Sequence, residues 1–351
     1  MRKPRRAALA ILLAPLPVLL FLASTVRAGK EDGKLDVWWV DVEGGAATLV
    51  VTPAGESILI DTGLPGERDP GRIKKAVTEH AGLEKIDHVV VTHFDSDHYG
   101  GTADLMKLLP VDHVWDPGLP KGQLRSTKPI ERYIAATMGK RKVLKPGDVL
   151  ALKQVGEVPL DVRCLVANQK FVAPTIVQKE TSNSVCAQDK PKAKDDSENA
   201  NSIVLLFSFG DFRFLDAADL TWNLEKQLVC PYDLVGPVDV FQVNHHGLAS
   251  SNNPTLLQTI KPTVAIMNNG HRKGCADTVV DALRASTRAI YQVHKNLNPG
   301  GKNTFPNRIA NHEEACKAEV IHLGVHPDAL TYEVSILSRG LREKYATKKG
   351  R

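Results

Sequence analysis

What this chain lacks narrows its function before anything it contains. No G-x-G-x-x-G and no phosphate-loop pattern follows an early strand, which removes the usual cradles for dinucleotides and nucleoside triphosphates. The five cysteines, Cys164, Cys186, Cys230, Cys275 and Cys316, fall at spacings that match no zinc-cysteine module. No segment repeats at a solenoid period, and beyond residue 28 no apolar run is long enough to span a bilayer. An excess of charge is missing too. The net +5 resides in the first 28 residues, which hold Arg2, Lys3, Arg5, Arg6 and Arg27 and no acid, so the rest balances at 40 basic against 40 acidic side chains. No global positive field is left to bind a polyanion. The one local basic candidate is the ending "LREKYATKKGR", read as a solvated tail over 342–351.

The opening "MRKPRRAALAILLAPLPVLLFLASTVRAGK" has a basic start, an apolar middle broken by Pro15 and Pro17, and a small-residue exit at Val26-Arg27-Ala28. That pattern describes a cleavable secretory signal over 1–28, and its prolines argue against a permanent membrane anchor. Arg5-Arg6 also permits a twin-arginine route. The expected location is the periplasm or outside the cell, where up to two disulfides form and one thiol is left over.

The remaining residues, about 320, suffice for a sizeable core. "KLDVWWVDV", "AATLVVTP" and "ESILIDTG" read as an antiparallel meander. "PGRIKKAVTEHAGL" has the one-sided apolar pattern of a helix, and "KIDHVVVTH" that of a buried strand. "SIVLLFSFGDFRFLDAADL" reads as two strands joined at Phe209-Gly210-Asp211, followed by the helix "LTWNLEKQLV" and by strand-helix units up to "RAIYQVH". "LTYEVSIL" is a late alternating strand. A polar stretch over about 179–201 lacks apolar residues and is an insertion in a domain spanning 29–341. Meanders and strand-helix units in both halves are buried together if two mixed sheets pack face to face with helices outside, a four-layer α/β/β/α class.

The stretch "VTHFDSDHYGG", residues 91–101, puts four ligand-type side chains behind a buried strand. His93 and Asp95, two apart in extended chain, face one side; Asp97 and His98 enter the following turn and face a second point. Gly100-Gly101 permits a tight backbone approach beside them. Crowding these groups at a buried strand end is costly unless a cation compensates them, and imidazole with carboxylate suits Zn, Mn or Fe. Three further strand ends carry candidates. Asp61 in "LIDTG" is placed to orient a ligating histidine, although Asp-Thr-Gly alone is more often a turn. Asp219 in "RFLDAADLT" is placed to bridge two cations or, in the plainer reading, to cap the next helix. His245-His246-Gly247 leaves a strand with consecutive imidazoles.

These motifs together resemble the metallo-β-lactamase fold. "THFDSDHYGG" is similar to the variant of its metal motif with Asp where His is commoner. The ordered set "VWWVDVEGGAATLVV", "ILIDTG", the cluster, "ENANSIVLLFSFGDFRFLDAADL" and "VDVFQVNHHG" resembles the hydrolase domain at the C-terminal end of the bacterial competence membrane protein ComEC. The resemblance implies a four-layer α/β/β/α sandwich and two divalent ions, Mn or Zn. His93 and Asp95 would hold one, Asp97 and His98 the other, and Asp219 would bridge them, with Asp97 and Asp219 as the catalytic carboxylates. Asn199 stands where other branches carry a histidine ligand. The pattern does not separate His245 from His246; His246, beside the glycine, is taken as the ligand and His245 as its neighbour. Departures are Ala217-Ala218 before the bridging aspartate and Cys275 where many relatives have histidine, so that a late histidine ligand or proton donor is either absent or replaced by the nearby His271.

Two cations about 3.5 to 4 Å apart activate water near neutral pH and polarise the bond attacked. Asp95 and Asn199 make the first site richer in oxygen, which favours Mn over Zn. The expectation is an exported metallohydrolase acting on phosphoesters, with nucleic acid or another phosphodiester as substrate class. A lactonase or β-lactamase reaction, and a non-catalytic binding protein on the same fold, are the alternatives.

Overall fold

The first half of the chain builds most of one sheet in the computed structural model, which describes residues 28–122, 124 and 127–348. The expected signal segment before Ala28 and the last three residues of the basic tail lie outside the described residues. Strands β1 (Leu35–Trp39), β2 (Thr48–Val51) and β3 (Ser57–Ile60) form an antiparallel meander, which β4 (Ile86–Val90), β5 (Val111–Asp116) and β6 (Arg141–Val143) extend in parallel. Parallel pairing needs crossovers. These are α1 (Arg68–Lys75) with its continuation Ala76–His80, then α2 (Ser96–Tyr99) and α3 (Thr102–Leu108), then α4 (Lys128–Ala136).

The second sheet repeats the plan. β7 (Leu160–Ala167), β8 (Lys170–Phe171), β9 (Val204–Phe209) and β10 (Phe212–Asp216) pair antiparallel, and β11 (Val240–Gln242), β12 (Val264–Met267), β13 (Ala289–His294) and β14 (Ile309–Asn311) continue in parallel. Short α5 (Ile176–Lys179) lies before the insertion. Helices α6 (Trp222–Gln227), α7 (Pro254–Ile260) and α8 (Asp277–Ser286) make the crossovers. The chain then returns to the first sheet as β15 (Ile321–Val325), β16 (Thr331–Ile336) and β17 (Leu341–Ala346), with β15 antiparallel to β1.

Three apolar clusters fill the spaces between four layers. Val37, Trp39, Phe207, Phe214 and Ile266 belong to the cluster between the sheets. Ile73, Leu105 and Ile130 seal the first sheet's outer face against α1, α3 and α4, and Leu256, Val280 and Leu283 seal the second against α7 and α8. The fold is thus the α/β sandwich of two mixed sheets that the strand and helix patterns called for. A polar tie crosses the middle layer: Gln242 Oε1 accepts from Trp39 Nε1 at 2.8 Å and from Thr48 Oγ1 at 2.7 Å. A buried amide oxygen with two donors is satisfied only in one register, so this contact fixes how the sheets sit over each other.

Two expectations need correction. Residues 342–346 are no frayed tail: within β17 buried Tyr345 alternates with exposed Arg342 and Lys344, and Glu343 turns inward to Arg308 at 2.8 Å. Period-two alternation had been hidden by the density of charge. The 179–201 stretch has little regular structure, as its polarity implied, but it is docked. Cys186 is disulfide-bonded to Cys230, Asn253 Nδ2 donates to Asp189 Oδ1 at 2.9 Å, and Lys192 lies over the Trp222 ring at 3.4 Å. Cys164, Cys275 and Cys316 remain free, so one disulfide forms where two were possible. Among the described residues no helix is long and apolar enough to cross a membrane.

Candidate metal centre

The site forms where strands of both sheets end. After β3 the chain turns at Asp61, whose left-handed backbone (φ 61°) aims its carboxylate along the end of β4. Asp61 Oδ1 accepts from the Thr92 backbone N–H at 2.8 Å, and Oδ2 from Thr92 Oγ1 at 2.7 Å and from His98 Nδ1 at 2.7 Å. His98 therefore carries its proton on Nδ1 and presents Nε2 to the site, the orienting arrangement typical of metal-bound histidine. Thr92 Oγ1 lies 3.0 Å from His93 Nδ1. His93 Nε2 is buried with no hydrogen-bond partner. Behind α2 the glycines are obligatory: a Cβ at Gly100 would stand 2.1 Å from the Ser96 carbonyl oxygen, and one at Gly101 2.1 Å from that of Thr62.

The second sheet supplies the opposite wall. Asp219 follows β10, and the following α6 is capped at Thr221, so Asp219 is not spent as its N-cap. Beyond β11, His245 and His246 both adopt left-handed backbone (φ 52° and 54°), a strained pair that turns the two imidazoles in different directions. His246 Nδ1 faces the Asn268 carbonyl oxygen at 3.3 Å, leaving Nε2 inward. That Nε2 is 3.3 Å from His98 Nε2, 3.3 Å from Asp97 Oδ2 and 3.3 Å from Asp219 Oδ2; His98 Nε2 is 3.1 Å from Asp219 Oδ2. Donor atoms of His93, His98 and Asp219, and again of Asp97, His98 and His246, lie within 4.8 Å of one another.

Residues 40–161 match the family model of the metallo-beta-lactamase superfamily. This chain carries a metallo-β-lactamase domain. ComE operon protein 3 of Bacillus subtilis is 25% identical over 269 residues, covering 72% of this chain and 30% of that protein. Recombination protein 2 of Haemophilus influenzae is 24% identical over 267 residues, covering 76% and 27%. A UPF0173 metal-dependent hydrolase of Cupriavidus metallidurans is 31% identical over 116 residues, covering 32% and 37%. The chain spans about a third of the length of these relatives. Over the matched residues the chain resembles the metallo-β-lactamase superfamily, and a domain of that kind implies divalent ions at the cluster.

The donors of this metallo-β-lactamase domain fit such ions. An orphaned, buried His93 Nε2 and two inward Nε2 atoms only 3.3 Å apart are poor neighbours for each other and good ligands for a cation. Charge agrees. Burial pushes the Asp219 carboxyl up, but His246 and His98 beside it hold it well below the usual carboxylate range; Asp97 is held low in the same way. Burial pushes the His98 imidazole down, against which Asp219 and Asp61 hold it well above its ordinary value.

The expected pairing of ligands is modified in detail. His98 belongs to both donor groups, while Asp95 lies to one side: its Oδ2 is 3.7 Å from His93 Nε2, and its side chain is 40% exposed. Asn199 Oδ1 is buried without a partner, four residues before Ile203, whose N–H donates to the Thr92 carbonyl. His245 Nε2 is 3.5 Å from Asp219 Oδ2 and its Nδ1 is 3.0 Å from Ser250 Oγ, a neighbour of the cluster as expected of it. His271 has its Nδ1 buried without a hydrogen-bond partner and is not among the clustered donors. Its Nε2 faces Glu314 Oε1 at 3.4 Å, because the 270–273 turn, closed by Gly270 N–H to the Lys273 carbonyl, directs Lys273 inward instead. Lys273 Nζ contacts Asp97 Oδ2. Sequence reasoning missed Lys273, since nothing local marks a lysine 176 residues from its partner. Missed too was Asp216, whose Oδ2 is buried without a partner and whose carboxyl burial pushes up to about 7.

Asp61 offers a clean test of the orienting role. Asparagine tolerates left-handed backbone, so Asp61→Asn keeps the turn and loses the charge behind His98. Zinc or manganese affinity, measured by competition with a chromogenic chelator, is expected to fall about 10- to 100-fold. Unchanged affinity would remove Asp61 from the metal site.

Proposed function

We propose that this protein is an exported hydrolase of phosphoesters, with phosphodiesters such as nucleic acid as the substrate class. The observation that carries the reading is Lys273: its side chain is 41% exposed yet its ammonium meets Asp97 in the cluster, which supports a place for it where an anionic substrate would enter. When bound, divalent ions supply Lewis acidity and make water a usable nucleophile at neutral pH. His93, His98, Asp97, Asp219 and His246 would hold them, with Asp95 and Asn199 as oxygen donors on the His93 side. Asp61 and the Asn268 carbonyl keep His98 and His246 in the tautomers that leave Nε2 free. With Asp97 holding a cation, Lys273 would be available to pair with a phosphate oxygen. The Cys186–Cys230 disulfide supports export to an oxidising compartment.

The test is a substrate comparison on the chain lacking residues 1–28, loaded with Mn or Zn. Bis-p-nitrophenyl phosphate is expected to turn over and nitrocefin not; the reverse would make the protein a carbonyl hydrolase of the lactonase or β-lactamase kind. Lys273→Ala is expected to raise KM for the phosphodiester roughly tenfold, about 1.4 kcal/mol of lost binding, with a smaller change in kcat. No change in either constant would remove the substrate contact. Less than one equivalent of bound metal, with no turnover of either substrate, would favour the binding-protein alternative.

A further inference from the structure

We propose that Asp41, His294 and Cys316 form a separate binding site for a zinc-class divalent cation, one that braces the loops around the catalytic cluster. The three residues come from distant parts of the sequence: Asp41 follows β1, His294 ends β13, and Cys316 lies between β14 and β15. One carboxylate oxygen, one imidazole nitrogen and the thiol sulfur lie within 4.8 Å of one another, and Cys316 Sγ is 2.9 Å from Asp41 Oδ2. Ligand edges in a tetrahedral zinc shell are roughly 3.3–3.8 Å, so small side-chain shifts complete the set. None of the three belongs to the cluster of His93, His98 and Asp219.

The donor chemistry selects the ion. Sulfur, nitrogen and oxygen together suit zinc better than the hard cations that prefer all-oxygen shells. Asp41 and His294 are fully buried, and Cys316 is half-buried against a surface cavity lined also by His312 and Glu313, which gives an entry path and room for water as a fourth ligand. His294 lies between two carbonyl oxygens, Lys295 O at 2.9 Å from Nδ1 and Glu313 O at 3.1 Å from Nε2. A neutral imidazole donates to only one of them. The other nitrogen aims its lone pair at a carbonyl oxygen, an unfavourable contact that a small turn of the ring toward Asp41 and Cys316 would relieve on binding a cation, while the remaining N–H to a carbonyl orients the ring as in many metal sites.

The surrounding charge is compatible. Arg72 Nη1 lies 3.8 Å from Asp41 Oδ2 and Nη2 lies 3.8 Å from Cys316 Sγ, but Nη2 is paired with Glu43 Oε1 at 2.9 Å. That pair is neutral as a unit, so the Asp41 carboxylate and a Cys316 thiolate are left to balance a double positive charge. The site also has a mechanical place. Asp41 Oδ1 holds the Glu43 N–H at 2.8 Å, and the same loop runs on to Ala46, whose N–H donates to the Asp97 carbonyl at 3.1 Å. The His294 ring lies 5.6 Å from that of His271, on the loop that carries Lys273.

The decisive readout is sulfur ligation, since no other metal donor named above is a thiol. The chain lacking residues 1–28, made metal-free and titrated with cobalt(II), is expected to show a thiolate-to-cobalt charge-transfer band that Cys316→Ser abolishes, while absorption from cobalt on nitrogen and oxygen donors persists. On the unmodified chain, zinc is expected to slow iodoacetamide labelling of Cys316 about tenfold or more, followed peptide by peptide; Cys164 and Cys275 are buried and do not compete. Cobalt loading without the sulfur band, a band that survives in Cys316→Ser, or labelling indifferent to zinc would each overturn the proposal. Failure of the catalytic reading would look different: the sulfur band would remain and the nitrogen and oxygen absorption would be absent.

Discussion

Asp97→Ala is expected to lose turnover of bis-p-nitrophenyl phosphate by roughly 10³-fold or more, the scale on which single members of a catalytic unit fail, while the chain still folds cooperatively. The two halves of that expectation come from different atoms of one residue. Its carboxylate reaches His246 Nε2 at 3.3 Å, His98 Nε2 at 3.6 Å and the Lys273 ammonium, all within the cluster. Its part in the fold is played by the main chain, where the carbonyl accepts from the Ala46 N–H and packs against Gly45. Alanine keeps the second set and deletes the first. Steady-state kinetics with circular dichroism separates them, and a variant with parental turnover would place the chemistry elsewhere.

The second large effect concerns the disulfide. Replacing both Cys186 and Cys230 by serine opens a covalent loop closed across a sequence separation of 44. Constraint of the unfolded chain by such a loop contributes about 2–4 kcal/mol, and urea unfolding of the double variant should show a loss of that size. The insertion should still dock in the native state, because the Asn183 side chain donates to the Val229 carbonyl at 2.9 Å and to Thr259 Oγ1 at 2.8 Å without help from sulfur. A double variant as stable as its parent would mean that these contacts, rather than the crosslink, restrain the segment.

Local patterns made the strands and helices legible, and the quoted eleven-residue stretch placed His93, Asp97 and His98 because neighbouring positions share a strand end. Asp219 and His246 are remote from that stretch, and only the ordered series of motifs joined them to it. Lys273 escaped for a physical reason: it enters through a turn whose closing hydrogen bond is between backbone atoms of Gly270 and Lys273, a bond that does not depend on the lysine side chain. His271 drew attention as an imidazole in the right segment, yet its Nε2 faces Glu314 while Lys273, two residues on, meets Asp97. Counting cysteines bounded the disulfides without pairing them, since pairing depends on which loops meet in space. Asp95 shows the limit in the other direction. Its position beside His93 was read correctly, but extended spacing says nothing about depth, and the side chain lies nearer solvent than its companions.

Asp61 and the segment 93–98 hang from one sheet, Asp219 and His246 from the other, and away from the site the two leaves of the sandwich meet through apolar packing, the amide of Gln242 and the Tyr291 hydroxyl against Glu343 and Tyr345. An ion gripped from both sides therefore acts as a rivet through the molecule. The leaves cannot slide or part without surrendering it, so heat resistance should climb with free metal concentration, and starving the protein of metal should loosen the whole sandwich as well as silence its chemistry.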